Sequence, residues 1–168
     1  ARFPVLKACA LCSVCLALGL GFGRMGCLLA GCCFGQPNDG PLSLVFPGRS
    51  PASEAQFKLG LLQTSGFESL PVYPTQVMES AMSFAVAGFL LFFLQSRKRY
   101  DGQVFVWFLG LYALGRFIIE FFRADDRGGL LGLSTSQIIG LILIAIAIAL
   151  HRTVVARLKT PTLPAPAG

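Results

Sequence analysis

Long apolar stretches broken only by small polar residues dominate the chain. Four of them, Pro4 to Phe22, Val77 to Leu94, Val104 to Phe122 and Ser136 to Val155, are each about 18 to 22 residues, enough for a helix to cross roughly 30 Å of hydrocarbon. The last is the clearest: "IIGLILIAIAIAL" has no polar side-chain atom, with "SQ" before it and "HR" after it. Gly140 and the alternate alanines of that run would let neighbouring helices approach closely. The segments between the runs are polar and carry the turn residues. "GQPNDGP" signals turns, "LSLVF" a possible short strand, and "SPASEAQFKLGLL" a short helix from about Pro51 to Gln63 with Ser50 as its N-cap, lying along the interface. The pattern predicts an all-α polytopic membrane protein. Residues 1–159 form one membrane domain with an outer connection over 23–76, and the Pro-rich tail 160–168, "TPTLPAPAG", is disordered.

Composition agrees with this reading. Of 168 residues, 54% are hydrophobic and 13% charged, with a mean hydropathy of +0.68, more apolar surface than a water-soluble domain of this size can cover. Fourteen Lys and Arg against eight Asp and Glu give a formal charge of +6. The bases gather at the ends of apolar runs and form no aromatic-interleaved stripe, which suits lipid headgroups and excludes nucleic acid as the expected partner. "SRKRYD" between the second and third spans and Arg152, Arg157 and Lys159 after the fourth place those ends in the cytoplasm. Both termini are therefore expected inside, with the long connection outside. Ala1 follows no Met, and the first run lacks a small-residue cleavage site, so a fragment is expected rather than a mature secreted chain.

Within the third run, "YALGRFIIEFFRADD" sets Tyr112, Arg116 and Glu120 four residues apart on one helical stripe, with Arg123 a turn further on. Arg116 and Glu120 could simply neutralise one another between helices. Each ionisable group in a membrane nevertheless costs roughly 2.5 to 3.5 kcal/mol, so several together point to a site facing a bundle interior or aqueous cavity. "GRMGCLLAGCCFG" just past the first run offers Arg24, whose planar fork suits a phosphate or carboxylate, among glycines that permit close ligand approach. An Arg in that position is also a common snorkelling anchor. "YPTQVMES" places Gln76 and Glu79 on one face at the start of the second span, and "LSTSQ" brings Ser134, Ser136 and Gln137 to the start of the fourth. All four helices thus present polar residues at one depth.

Six cysteines fall into two groups. Cys9, Cys12 and Cys15 have a spacing that suggests an iron–sulfur run, but a fourth ligand and the following Pro are missing, and packing is the expected role. Cys27, Cys32 and Cys33 could form a disulfide, preferably Cys27 to Cys32, or line a pocket as neutral small residues.

The three polar motifs, in this order, resemble the prolipoprotein diacylglyceryl transferase family of bacterial inner-membrane enzymes, over about Leu18 to Leu150. "GRMGCLLAGCCFG" is similar to the family's Gly-Arg-x-Gly signature, "YPTQVMES" to its Pro-Thr-Gln helix start, and "YALGRFIIEFFRADD" with "LSTSQIIG" to its carboxy-terminal Tyr, Arg and Glu block. The resemblance implies transfer of the diacylglyceryl group of phosphatidylglycerol to the lipobox cysteine of a preprolipoprotein, releasing glycerol phosphate. It implies Arg24 and Arg116 at the lipid phosphate or glycerol, with Glu120 and Tyr112 orienting Arg116, and Arg123 neutralising the headgroup region. Gly35 would close the signature's turn, and Gly26, Gln76, Glu79 and Gln137 would contribute to substrate binding. No cofactor or metal is implied, because the nucleophile is the substrate's own thiol.

This chain has Cys27 where many family members have Asn, and Cys32 near the position of a carboxylate. The family's His-Gly-Gly motif has no counterpart here. His151, the only histidine, falls at the cytoplasmic end of the last span, where it is expected to cap the interface. Two further readings stand beside the transferase: a non-catalytic phospholipid-binding paralogue, and a membrane thiol-redox protein using Cys32 and Cys33.

Overall fold

The computed structural model describes residues 5–124, 129–130 and 133–159. Its elements in chain order are α1 (Val5–Ala30), α2 (Pro51–Lys58), α3 (Thr75–Gly88), a π-helical turn (Phe89–Leu94) continuing into α4 (Gln95–Arg97), α5 (Gln103–Glu120), a two-residue hairpin of β1 (Gly129–Leu130) and β2 (Leu133–Ser134), and α6 (Thr135–Lys159). Four helical stretches, Ala8–Ala30, Thr75–Arg97, Gln103–Glu120 and Thr135–Ala156, are long and apolar enough to cross a membrane. The protein is an all-α polytopic membrane protein, as the hydropathy pattern predicts. Many large apolar side chains on these helices point outward, among them Leu11, Phe22, Phe92, Ile118 and Ile148. That arrangement is stable where the surrounding medium is lipid.

Small residues set the central packing. Ala10, Ser13, Ala17 and Gly21 form the buried stripe of α1, against which α3 lies. A Cβ at Gly21 would sit 2.6 Å from the Phe84 ring, so only glycine allows this approach. Ser80 of α3 donates to the Gly21 carbonyl at 3.0 Å, joining the two helices with a hydrogen bond where water is scarce. Helix α6 packs along α5, with Gly140 against the Ala113 carbonyl and Ala147 beside Gly110. This is the close approach expected of that run. Lower in the bundle, Leu90, Leu94, Val104 and Phe108 close the apolar core.

The first helix departs from expectation. It runs to Ala30 rather than ending near Phe22, so Arg24, Gly26 and Cys27 are helical and the outer connection begins at Gly31. Gly23 and Gly26 look like turn signals in sequence, but added side chains there would meet nothing within 4 Å. Both are exposed residues on the helix surface, and glycine is tolerated in membrane helices. The true stop is Gly31, at φ +68°. Its N–H bonds the Leu28 carbonyl and that of Cys32 bonds the Cys27 carbonyl, both at 3.1 Å. This is the paired closure of a Schellman cap, in which a left-handed residue follows the last helical turn.

The connection from Gly31 to Pro74 is compact without being a sheet. Isolated bridges join Pro37 and Leu44 to Val72, and Phe46, Ala52 and Val72 make a small second core. The possible strand at "LSLVF" is reduced to the Leu44 bridge. Ser50 caps α2 by accepting from the Ser53 N–H at 3.2 Å, as its position predicts. The helix stops at Lys58, short of Gln63. Gly60 at φ +73° follows, and its N–H turns back to the Phe57 carbonyl. The tail over 160–168 lies outside the described residues.

Candidate functional site: a guanidinium and carboxylate cluster at the outer end of the bundle

The polar residues of α1, α3 and α5 meet at one level, and Glu79 is their hub. Its carboxylate lies 2.5 Å from Arg24 Nε, 3.5 Å from Arg116 Nη1 and 3.2 Å from Arg123 Nη1. Glu120 forms the second anionic point, 2.6 Å from Arg116 Nη1 and 3.9 Å from Arg123 Nε. Ser134, at the end of the hairpin, donates to Glu120 Oε1 at 2.9 Å. Helical periodicity explains the convergence. Arg116 and Glu120 are one turn apart on α5, Arg123 follows in the next turn, and Glu79 faces them from the second turn of α3.

Among the described residues, three guanidinium groups face two carboxylates. The cluster is largely shielded. Glu79 and Arg123 are almost wholly buried, Arg116 nearly so, and Arg24 remains the most open of the three arginines. Arg116 Nη1 is close to both carboxylates, yet its N–H aims a hydrogen bond at neither, and Glu120 Oε2 likewise accepts none. Arg116 Nη1 is thus held between the two carboxylates by charge attraction rather than by an aligned hydrogen bond.

A long apolar groove of about 590 Å³ opens beside Arg24, lined by Cys12, Cys15, Leu16, Gly19, Leu20, Gly23, Arg24 and Cys27. Its lining comes from about four turns of this one helix, so it is a shallow, open face with Arg24 near the outer end. Gly19 and Gly23 keep it open, since nothing lies within 4 Å of where their Cβ atoms would be. Cys12 and Cys15 are exposed on this face of α1 rather than packed against a neighbouring helix as expected of that group.

The connection after α1 is clamped to this cluster. Thr75 Oγ1 donates to the Cys33 carbonyl at 2.8 Å and Gln76 Nε2 to the Cys32 carbonyl at 2.7 Å. Gly35 bridges Arg123, and a Cβ there would lie 2.5 Å from the Phe122 carbonyl and 2.6 Å from Tyr73 Cβ. Gln137 accepts from the Ser134 N–H at 2.9 Å and so fixes the hydroxyl that reaches Glu120. Gln76, Gly35 and Gln137 therefore hold the framework around the cluster. Gly26 stands on the exposed side of α1 and Tyr112 stacks on Phe108 with ring centroids 5.8 Å apart. Tyr112 lies within electrostatic reach of Arg24, a turn below the Arg116 pair.

Two features escape sequence reading. The spacing of Gln76 and Glu79 shows a shared face, but only the assembled bundle shows that one carboxylate serves three arginines. The other is the thiol group. Cys27, Cys32 and Cys33 bring their sulfur atoms within 4.8 Å of one another. Burial and the neighbouring thiols push Cys32 up to about 11. Burial also works upward at Cys33, but hydrogen bonding from Arg123 and Cys32, with the charges of Arg123 and Arg24, outweighs it and lowers that thiol. His151 stands at the opposite end of α6, its Nδ1 2.8 Å from the Tyr100 hydroxyl, as expected of an interfacial cap.

Comparison with known proteins gives one family throughout. The family model for prolipoprotein diacylglyceryl transferase matches residues 1–153. A phosphatidylglycerol–prolipoprotein diacylglyceryl transferase of Clostridium tetani is 39% identical over 147 residues, covering 88% of this chain and 53% of that protein. Transferase 2 of Clostridium perfringens is 38% identical over 136 residues, covering 81% of this chain and 47% of its own length. The enzyme of the same name from Geobacter sulfurreducens is 32% identical over 124 residues, 74% of this chain and 40% of the relative. The chain thus spans about half the length of the curated relatives it matches. With its polar motifs assembled into one site and the match running nearly end to end, this chain belongs to the prolipoprotein diacylglyceryl transferase family.

Proposed function

We propose that this protein takes part in diacylglyceryl transfer from phosphatidylglycerol to the lipobox cysteine of a preprolipoprotein, at the outer leaflet of the bacterial inner membrane, with both chain ends of this segment on the cytoplasmic side. The observation that carries the reading is the buried arginine and carboxylate cluster at the head of an apolar groove. In the reaction the acceptor sulfur, having lost its proton, attacks the glyceryl carbon that bears the phosphate. The new S–C bond forms as that C–O bond breaks, and glycerol phosphate departs with the electron pair. Negative charge grows on the departing phosphate oxygen, so fixed guanidinium groups lower the barrier where they are aimed at that oxygen.

Arg24, at the mouth of the groove, and Arg116, with its unaligned buried N–H, are the phosphate contacts in this reading. Glu79 and Glu120 hold the three arginines at a set spacing and prevent them from repelling one another. Arg123 supplies background positive potential. Tyr112 acts on Arg24 electrostatically, while Gly26, Gly35, Gln76 and Gln137 shape the approach. The Lys and Arg of residues 97–99, at the opposite end of the bundle, support the orientation through their preference for the cytoplasmic side.

The test is to incubate membranes carrying the protein with labelled phosphatidylglycerol and a lipobox peptide. Thioether-linked diacylglycerol on the peptide is expected, with loss of product in Arg116→Ala. Phosphatidylglycerol bound without turnover would instead make this chain a phospholipid-binding member of the family.

A further inference from the structure

We propose that Cys27, Cys32 and Cys33 form a three-thiolate site for one soft cation of the zinc(II) or copper(I) class, built into the cap of α1 and separate in chemistry from the arginine cluster. The geometry of the cap brings the donors together. In a Schellman closure the third residue from the helix end and the second residue beyond it come into side-chain contact, and these are Cys27 and Cys32. Cys33 then takes φ +60°, an uncommon conformation for a residue with a side chain, and its sulfur joins the other two within 4.8 Å. Metal–sulfur bonds of about 2.3 Å set sulfurs around one ion roughly 3.8 to 4.0 Å apart, which this spread accommodates.

The donors are also held in place. Hydrogen bonds from Gln76 and Thr75 fix the carbonyls of Cys32 and Cys33, so the turn is anchored to α3. Among the described residues, this is the one group of three or more His, Cys, Asp or Glu side chains placed to share an ion. The surroundings suit the charge of the product. Three thiolates on a divalent ion carry one net negative charge, and Arg24 and Arg123 both interact with these sulfurs. Three thiolates gathered this closely repel one another. A bound cation removes that repulsion, and binding releases the thiol protons. Thiolate donors with no carboxylate among them select soft ions over magnesium or calcium.

The test uses the complete chain in detergent, purified with its thiols reduced and titrated with cadmium as a spectroscopic probe. We expect one cadmium per chain, an ultraviolet sulfur-to-metal charge-transfer band, proton release, and protection of these three cysteines from alkylation as read by mass spectrometry. Replacing any one of them with Ser should weaken binding by at least about tenfold. A Cys9→Ser variant should bind as the parent does. Absence of the band in reduced protein, binding that survives loss of all three proposed ligands, or protection of Cys9, Cys12 and Cys15 of α1 instead would overturn the site. A disulfide between any two of Cys27, Cys32 and Cys33 in protein trapped directly from membranes would also overturn the site. Differential alkylation of the unmutated chain decides the matter even where a Ser variant fails to fold.

Discussion

At the scale of single residues, Glu79 has the largest structural burden. It neutralises parts of three guanidinium groups while almost wholly buried. Removing one partner of a buried ion pair leaves uncompensated charge at a cost of about 3 to 5 kcal/mol. Glu79→Gln should therefore lower the melting temperature in detergent more than Glu120→Gln does, since Glu120 meets two arginines and has Ser134 in addition. Equal shifts would contradict its role as hub. His151→Ala should leave transfer unchanged and cost about 1 kcal/mol through the lost Tyr100 hydrogen bond. The thiols make a separate pH prediction. Cys33 ionises below the ordinary thiol value of 9.0 and Cys32 only near 11, so alkylation followed against pH should modify Cys33 first. The stripe of Tyr112, Arg116 and Glu120 is legible from spacing alone. The partnership of Glu79 with Arg24 is not, because it joins residues 55 positions apart.

At the scale of elements, hydropathy locates all four spans, and the errors lie at their ends. The end of α1 is misread because glycine signals a turn in water but is an ordinary surface residue in a membrane helix. Gly31 differs from Gly23 and Gly26 in its left-handed backbone and in its burial against Ser50 and Phe46, neither of which sequence displays. The groove along α1 follows from the same glycines. Gly23→Leu introduces a side chain where the backbone has room and gains helix propensity of roughly 0.8 kcal/mol. The variant should melt at a higher temperature and yet bind phospholipid more weakly, because its side chain fills the trough. Unchanged lipid binding would remove the groove from the account. Gly35→Ala should do the reverse of a stabilising change, since its Cβ meets the Phe122 carbonyl and Tyr73 backbone that hold the loop to α5.

At the scale of the whole molecule, the bundle separates two jobs by depth. The apolar outer surfaces of four helices match lipid, while the charged residues that would be costly there are gathered at one end and pair with one another. The connection of residues 31–74 is tied to that end by the Gln36 N–H to Phe122 carbonyl bond and by the Thr75 and Gln76 side chains, which donate to the Cys33 and Cys32 carbonyls. Its few short elements follow from turn chemistry. Their docking depends on long-range contacts that no local pattern encodes. The family signature motifs acquire a common physical meaning here, since each contributes a charge or a fixed carbonyl to one cluster.

The central claim is that this cluster and its groove receive the phosphate and an acyl chain of an anionic phospholipid. It is tested most directly by measuring lipid retained on the purified chain by native mass spectrometry, from mixed micelles of phosphatidylglycerol and phosphatidylcholine. Preferential retention of phosphatidylglycerol, lost in both Arg24→Ala and Arg116→Ala while helical content is unchanged, is the predicted result. Equal retention of the two lipids, or a preference indifferent to both arginines, would contradict it.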